Sequence, residues 1–380
     1  MRVLIAFDKF KDALSAPAAC EIARDVINQS HPEWTTDLCP LADGGEGFAS
    51  ILTDAAQGVW HEVTTIGPLR TPCQAGFGLV EVARLPANVQ QRLDLGSASR
   101  LAVIEMASAS GIQSLTAEER DPWQTDTTGT GRVIRAAIDA GAEAILLGVG
   151  GSATSDVGLG ALTALGWTAQ NASGDTLTAV HPAAWPAITK LTPSPEQLPP
   201  IRIACDVSNP LLGPRGAPTV FGPQKGLTPE RLPELESETA RIARLIGEAV
   251  NRPGLESTPG AGAAGGIAFG FLTAAQAQLV PGFDLVEEWL DLGPKVAAAD
   301  LVITGEGKFD ASSLEGKGPG SLTHRATTAG KSVKIFAGAV DVPPPPAGCE
   351  ITVITPAGTD LPTALAQAAP NLAAAVKRSL

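Results

Sequence analysis

Polar, glycine-rich segments recur in this chain at the points where short apolar runs stop. There are six such segments, each rich in charged residues, in glycine or in both, and they span residues 8–12, 42–47, 148–156, 205–210 together with 221–226, 259–266 and 305–310. In α/β proteins, ligands bind at the carboxyl ends of strands, where such segments lie. Phosphoryl transfer needs backbone N–H groups for phosphates, carboxylates for Mg²⁺ or for a hydroxyl proton, and cations against developing charge. The six segments contain all of these parts.

Lysine usage points to the same segments. Of the ten lysines in the chain, five lie in or just after them: Lys9, Lys11, Lys225, Lys308 and Lys317. If the lysines of so acidic a protein served only to solvate its surface, they would be scattered along the chain. The bias therefore indicates anionic ligands at these segments.

Two of the glycine patterns also permit other interpretations. Both match the spacing of the dinucleotide fingerprint: Gly148-x-Gly150-x-x-Ala153 and Gly260-x-Gly262-x-x-Gly265. In a dinucleotide site, an acid that binds the ribose is expected at the end of a second strand about 20 residues after Gly150, and no such acid is present in the sequence. We therefore interpret residues 150–154 as an anion cradle at a helix N-terminus, aided by the Ser152 and Thr154 hydroxyls. The alternative is a tight strand-to-helix turn.

The acids have structural alternatives too. Asp156 could lie in the first turn of the helix it opens, where the helix dipole favours an acid. Asp206 could cap a turn, and Asp43 and Asp310 could each begin one. Repeated acids beside glycine at strand ends are costly unless a ligand or cation uses them, so we expect most of them to be functional.

Composition excludes several classes of protein. The chain has 380 residues, of which 44% are hydrophobic, and its net charge is −13. It can therefore build a sizeable core, while nucleic acids and anionic membrane surfaces are not expected partners. The five cysteines are scattered and form no C-x-x-C pair, so a reducing compartment is indicated. No apolar run approaches the ~20 residues that span a bilayer. We expect a cytoplasmic protein.

Short apolar runs and amphipathic segments alternate along the chain. Predicted strands span residues 3–7, 101–105, 144–149, 201–205, 301–304, 333–337 and 351–354, with a hairpin that pairs 77–83 with 101–105. Predicted helices span residues 17–29, 132–140, 159–165, 229–251 and 363–377. This alternation is typical of an α/β fold with parallel strands covered by helices.

Taken together, the segments resemble the type I glycerate kinase family from residue 2 to about residue 340. The motifs that carry the resemblance are Asp8-x-Phe10-Lys11, Ala42-Asp43-Gly44-Gly45-Glu46-Gly47, Glu105-Met106-Ala107, Gly150-Gly151-Ser152-Ala153-Thr154-x-Asp156, Cys205-Asp206-Val207, Phe221-Gly222-Pro223-Gln224-Lys225-Gly226, the 259–266 segment and Thr304-Gly305-Glu306-Gly307-x-x-Asp310.

The resemblance implies ATP- and Mg²⁺-dependent phosphorylation of D-glycerate, with 2-phosphoglycerate favoured over 3-phosphoglycerate. It also implies a Rossmann-like parallel-sheet domain formed by both chain ends (1–72 with 286–380) and an inserted α/β domain (73–285). The active site would lie in the cleft between them. The oligomeric state is expected to be a monomer or a small homo-oligomer.

Roles for single residues follow from the resemblance as hypotheses. The catalytic candidates are Asp43, Asp156, Asp206 and Asp310, of which Asp156 and Asp206 are also the candidate Mg²⁺ ligands and Asp43 or Asp310 would accept the hydroxyl proton. The substrate-binding candidates are Asp8, Lys9, Lys11, Glu46, Lys225 and Lys308. The candidates for binding ATP phosphates are Gly150, Gly151, Ser152, Thr154, Gly260, Gly262 and Gly265.

Two other classes of function stay open at this point. The glycine fingerprints permit an NAD-dependent oxidoreductase of small hydroxy acids, which a change in nicotinamide absorbance would reveal. A non-catalytic sensor of glycerate or nucleotide would instead show ligand-induced thermal stabilisation without turnover.

Overall fold

The computed structural model describes residues 1–314, 318–341 and 348–380, so that Lys317 lies outside the described residues. The strands are, in chain order, β1 (Arg2–Phe7), β2 (Thr35–Leu38), β3 (Val59–Ile66), β4 (Pro72–Glu81), β5 (Arg100–Glu105), β6 (Ala144–Gly148), β7 (Thr168–Gln170), β8 (Thr176–Leu177), β9 (Lys190–Thr192), β10 (Ile201–Ala204), β11 (Gln278–Val280), β12 (Leu301–Asp310), β13 (Ser332–Asp341) and β14 (Cys349–Val353).

The helices alternate with these strands along most of the chain. They are α1 (Ala16–Ser30), α2 (Phe48–Ala55), α3 (Ala87–Leu93), α4 (Ala107–Ser110), α5 (Thr128–Asp139), α6 (Leu159–Ala164), α7 (Ala217–Phe221), α8 (Leu232–Ala249), α9 (Ala263–Ala274), α10 (Gly282–Trp289), α11 (Leu292–Ala298), α12 (Ala311–Leu314), α13 (Gly318–Thr328), α14 (Leu361–Ala366) and α15 (Ala368–Ser379). The predicted α/β class is confirmed.

The chain forms two compact units, and the first consists of residues 1–43 and 286–380. Its sheet has the order β14-β13-β12-β1-β2, with every pair parallel. The buried side chains of β1 pack with apolar residues of α1 and α15, among them Ile27 and Leu372. Helix α1 begins where Ser15 Oγ accepts a hydrogen bond from Ala18 N, which satisfies one of the free N–H groups of its first turn. Both chain ends thus build one sheet.

The second unit consists of residues 44–285. Its main sheet has the order β11-β10-β6-β5-β4-β3, in which β3, β4 and β5 are antiparallel and the remaining pairs are parallel. The predicted hairpin is confirmed, since Phe77 pairs with Ile104. Strand β6 is buried along its whole length, which explains its continuous apolar sequence. The inserted domain was predicted to begin at residue 73, whereas β3, at residues 59–66, already belongs to this sheet.

One strand differs from its prediction in a way that changes the site. The apolar run 301–304 predicts a strand that ends before Gly305, but β12 continues to Asp310. Its pairing with β13 continues in parallel register as far as Asp310 opposite Asp341. Backbone hydrogen bonds therefore hold residues 305–310 in extended form, although local sequence favours a turn there.

Candidate functional site

In the first unit, charged side chains gather where β1 ends. Asp8 follows β1 directly, and its Oδ1 accepts a hydrogen bond from Lys9 N at 2.7 Å. Lys9 Nζ lies 3.1 Å from Asp43 Oδ1, which joins the first predicted segment to the second. The N–H of Asp8 donates to the Gly305 carbonyl at 3.0 Å, so the end of β1 is tied to β12. Parallel pairing thus brings together residues about 300 positions apart.

Glu306 on β12 is the most perturbed acid of this group. Burial raises its pKa to about 7, the Ser313 hydrogen bond lowers it, and the negative charges of Asp8, Asp310 and Asp43 raise it further. Among the described residues, no hydrogen-bond partner reaches the buried Oε1. A carboxyl group of this kind holds or releases a proton near neutral pH, as a general acid or base must.

Further along β12, the charges are more exposed. Lys308 Nζ lies 3.3 Å from Asp310 Oδ2 and 3.6 Å from Asp341 Oδ2, and its hydrogen bond to Asp310 raises the pKa of the lysine. The N–H of Asp310 donates to Ser313 Oγ at 3.1 Å. Lys11 is exposed. These charged groups remain in contact with solvent, where they can meet a ligand.

These residues surround a cavity of about 620 Å³ within the first unit. Asp8, Lys9, Lys11, Asp43, Glu306 and Lys308 all contribute to its lining. Three of the six predicted segments therefore meet at this cavity: the first, the second through Asp43, and the last. The cavity has the size of a typical small-molecule site.

In the second unit, the turn after β6 has the expected form of a cradle, but several of its backbone groups are already bonded. Gly150 N donates to the Gly44 carbonyl at 3.0 Å, and Ala153 N donates to the Ser110 carbonyl at 2.8 Å. Gly151 has a φ of +72° and is exposed, so glycine is the residue that fits there. Ser152 is buried, and its backbone forms a bridge with Gly111. Gly151 therefore marks the part of this turn nearest to solvent.

Asp156 is fully buried at the end of the same turn. Its Oδ2 accepts hydrogen bonds from Thr127 N at 2.8 Å, Thr127 Oγ1 at 2.8 Å and Gly160 N at 3.0 Å, and its Oδ1 accepts one from Gly158 N at 3.3 Å. Burial raises the pKa of Asp156 to about 6, as does the nearby charge of Asp126. A carboxylate with four protein donors holds the turn and the start of α6 together, and it has little capacity left for a metal ion.

Lys225 is buried below this turn as well. It is 1% exposed, and its Nζ donates to the Thr154 carbonyl at 2.5 Å. Burial lowers the pKa of Lys225 to about 7, and the charge of Asp156 raises it. The hydrogen bond to the Thr154 main chain therefore fixes the Lys225 side chain against the loop, so that Lys225 helps to position this loop.

The glycines of the second fingerprint pack closely against other segments of the second unit. A Cβ at Gly265 would lie 2.0 Å from the Thr154 carbonyl oxygen, and Gly265 has a φ of +70°. A Cβ at Gly262 would lie 2.2 Å from the Pro210 carbonyl oxygen, while Gly260 has a φ of +86°. These glycines are required because two backbones approach closely there. The arrangement by itself explains their spacing without a ligand.

The remaining predicted residues of this unit also lie at strand ends. Asp206 follows β10, and its Oδ1 accepts hydrogen bonds from Gly282 N at 2.8 Å and Phe283 N at 3.1 Å, so it caps α10. A Cβ at Gly151 would lie 3.9 Å from Glu46 Oε1, which places this acid beside the turn. Thr154 Oγ1 is buried and has no hydrogen-bond partner among the described residues.

Each unit thus contains acids, lysines and glycines of the kind that phosphoryl transfer requires. The comparisons with known proteins agree with that chemistry. A model of the glycerate kinase family matches residues 3–380. The chain belongs to the glycerate kinase family. It is 40% identical over 323 residues to the glycerate kinase of Bacillus subtilis (strain 168), which covers 84% of this chain and 80% of the relative.

Two further relatives support this assignment. The chain is 34% identical over 350 residues to the glycerate 2-kinase of Escherichia coli (strain K12), which covers 90% of this chain and 86% of that protein. A crystal structure assigned to glycerate kinase 2 from Salmonella typhimurium LT2 superposes with a TM-score of 0.74 at 34% identity, and the match covers 100% of this chain and 97% of that one. The predicted family is confirmed, and the chain is a kinase.

Two kinds of residue in the candidate site were not among the residues predicted from the sequence. Glu306 was part of a quoted motif but was not among the candidate site residues, although an acid between two glycines at a strand end was a usable signal. Thr127 and Asp126, which surround Asp156, gave no local signal, because their role depends on a contact across 29 residues.

The fit of a Mg²⁺ ion depends on how many protein ligands it needs. Among the described residues, no group of three or more His, Cys, Asp and Glu side chains is arranged to hold a metal. Kinases commonly hold Mg²⁺ through one or two carboxylates together with substrate phosphates and water, so a protein cage is not required. Asp206 keeps acceptor capacity on Oδ2, whose contact with Phe283 N is 3.2 Å. Asp206 therefore fits such a role better than Asp156.

Among the described residues, no helix combines the length and the apolar character that crossing a bilayer requires.

Proposed function

We propose that this kinase transfers the γ-phosphoryl group of ATP to D-glycerate, with Mg²⁺, and forms 2-phosphoglycerate and ADP. Family membership supports glycerate as acceptor, and the name of the Escherichia coli relative favours the 2-hydroxyl. The structural observation that carries the proposal is the group of Asp8, Lys9, Asp43, Glu306 and Lys308 around one cavity. It supplies acids for the hydroxyl proton and cations for anionic substrates.

The proton acceptor needs a carboxylate that is not neutralised by a lysine. Asp43 is paired with Lys9 and Asp310 with Lys308, and ion pairing makes a carboxylate a weaker base. Glu306 has a pKa raised to about 7 and an Oε1 without a partner among the described residues. We therefore assign the proton to Glu306 and keep Asp43 and Asp310 as groups that hold the lysines in place.

In the proposed step, the hydroxyl oxygen of glycerate attacks the γ-phosphorus while the bond to the β,γ-bridging oxygen breaks. The hydroxyl proton passes to Glu306, and ADP leaves with the bond electrons. Lys9 and Lys308 would pair with the glycerate carboxylate or the transferring phosphoryl group. Positioning and charge stabilisation therefore account for most of the catalysis, as in other phosphoryl transfers.

The second unit has a supporting part in this proposal. Gly151, at the solvent side of its turn, would meet phosphate, whereas the buried Lys225 and Asp156 hold the turn in place. Asp206 would hold Mg²⁺, which supplies charge neutralisation on the phosphates when bound. That the two units close over the substrates stays a prediction of the sequence analysis.

The product of the reaction tests the proposal. Purified protein is incubated with ATP, MgCl₂ and D-glycerate, with L-glycerate as a control, and the mixture is followed by ³¹P NMR. We expect a 2-phosphoglycerate resonance that grows with ADP. A 3-phosphoglycerate resonance would correct the position, and ADP without any phosphoester would reject glycerate as the acceptor.

A further inference from the structure

The cavity of the first unit has an apolar half that the proposed chemistry on glycerate does not use. We propose that this half binds the adenosine part of the nucleotide, with the phosphate chain directed to the lysines of the opposite half. The inference rests on the proposed function, because it takes ATP as the phosphoryl donor.

The apolar half is built by β13, by the end of β14 and by α14. Its lining includes Ala339, Ile354, Leu361, Ala364 and Leu365. Leu361 is 69% exposed, which is a high value for a leucine. A flat, largely apolar ring system placed against it would remove that side chain from water, and this burial favours binding.

The other half of the cavity is cationic as well as acidic. Lys9, Lys11 and Lys308 line it, and Lys11 and Lys308 are exposed. A ligand that is apolar at one end and polyanionic at the other matches this division. Thr355 lines the cavity beside Ile354, so a hydroxyl is available to a ring nitrogen at the apolar end.

Glycerate matches the apolar half poorly. It is a small anion in which every carbon carries oxygen, so it offers almost no apolar surface to Leu361 or Ile354. A cavity of about 620 Å³ is also larger than such a molecule needs, whereas it lies within the range of sites for nucleoside-sized ligands.

The cavity lies where nucleotide-binding sites of open parallel sheets are found. In the order β14-β13-β12-β1-β2, the chain passes from β1 to β2 in one direction and from β12 to β14 in the other. The order therefore reverses between β1 and β12, and ligands of open parallel sheets bind at the carboxyl ends beside such a reversal. Segments that follow β1 and β14, and residues of β12 and β13, form the lining.

Titration calorimetry on the full chain tests the assignment with two ligands, ADP and inorganic tripolyphosphate. Leu361 and Ala364 both belong to the lining of the apolar half. We expect Leu361→Gln and Ala364→Trp to weaken ADP binding by roughly fivefold or more, since the first removes apolar contact and the second fills the space. Neither change should affect tripolyphosphate, which lacks the nucleoside. Lys11→Ala should weaken both ligands. Val353→Gln is the matched control, because Val353 is 48% exposed on β14 and is not part of the lining.

Two results would overturn the assignment. One is an unchanged ADP affinity in both Leu361→Gln and Ala364→Trp, which would place the nucleoside elsewhere. The other is a rise in the KM for glycerate in these two variants, with the KM for ATP unchanged, which would show that the apolar half binds glycerate. Failure of the proposed function would give a different result, because the wild-type protein would then form no phosphoglycerate. The ADP titrations would still show whether the apolar half binds the adenosine part.

Discussion

The two units place the same residue types at strand ends and use them differently. In the first unit, Lys9 and Asp43 form a pair whose side chains are 22% and 44% exposed, beside a cavity. In the second unit, Lys225 and Asp156 are almost completely buried, and each bonds to protein groups. An acid with four internal donors organises a loop, whereas an acid at a cavity wall can act on a ligand. Solvent contact and hydrogen-bond saturation are therefore the two properties that distinguish the acids proposed to act on the substrates from the acids that hold a loop in place.

The largest expected effect distinguishes Glu306 from its neighbours. Glu306→Gln keeps the shape of the side chain but removes the proton acceptor, so we expect kcat to fall by about 10²–10⁴-fold while the protein stays folded. Steady-state assays of ADP formation give the value. Glu350→Gln is the matched control, because Glu350 forms an exposed pair with Lys334 on the same sheet. A kcat within twofold of wild type for Glu306→Gln would assign the proton to another group.

The second prediction compares the acids of the two units by stability. Asp156→Ala leaves N–H groups of Thr127 and Gly160 without their acceptor and Lys225 without its countercharge. We expect the free energy of unfolding to fall by about 3–5 kcal/mol. Asp43→Ala, which breaks a partly exposed pair, should cost less than about 1 kcal/mol. Urea denaturation of both variants measures the difference, and equal losses would contradict the comparison.

The third and smallest effect concerns pH. The pKa of Glu306 is raised to about 7 in the folded protein from 4.5, so between these values the folded state keeps a proton that the unfolded chain releases. The free energy of unfolding should therefore fall as pH rises from 4.5 to 7, by on the order of 2 kcal/mol for this partly exposed group. Below pH 4.5, the carboxyl is protonated in both states, and its contribution is constant.

Glu306→Gln lacks this titration, which provides the measurement. Its free energy of unfolding should exceed that of the wild type by an amount that grows from pH 4.5 to pH 7 and then levels off. Parallel curves for the two proteins across this range would show that Glu306 titrates normally.

Much of the site was predictable because the signals were local. Charged residues at the end of an apolar run can be recognised within ten residues, and this signal gave Asp8 and Lys9 as candidates; glycine beside the charged residue did the same for Asp43 and Lys308. The α/β class followed from apolar periodicity in the same way. The roles of Asp156 and Lys225 could not be predicted locally, because they depend on Thr127 and Thr154, which come from distant parts of the chain.

The sequence by itself determined the residue types available for phosphoryl transfer, the alternation of strands and helices, and the family. The tertiary structure decided which acids are open and which are saturated, since burial and hydrogen bonding are properties of the neighbours that folding supplies. It also gave Glu306 its raised pKa, first because folding buries the carboxyl group and then because parallel pairing of β1 with β12 brings the negative charge of Asp8 beside it. Spacing along a chain fixes local backbone geometry, whereas the charge state of a side chain depends on everything packed around it.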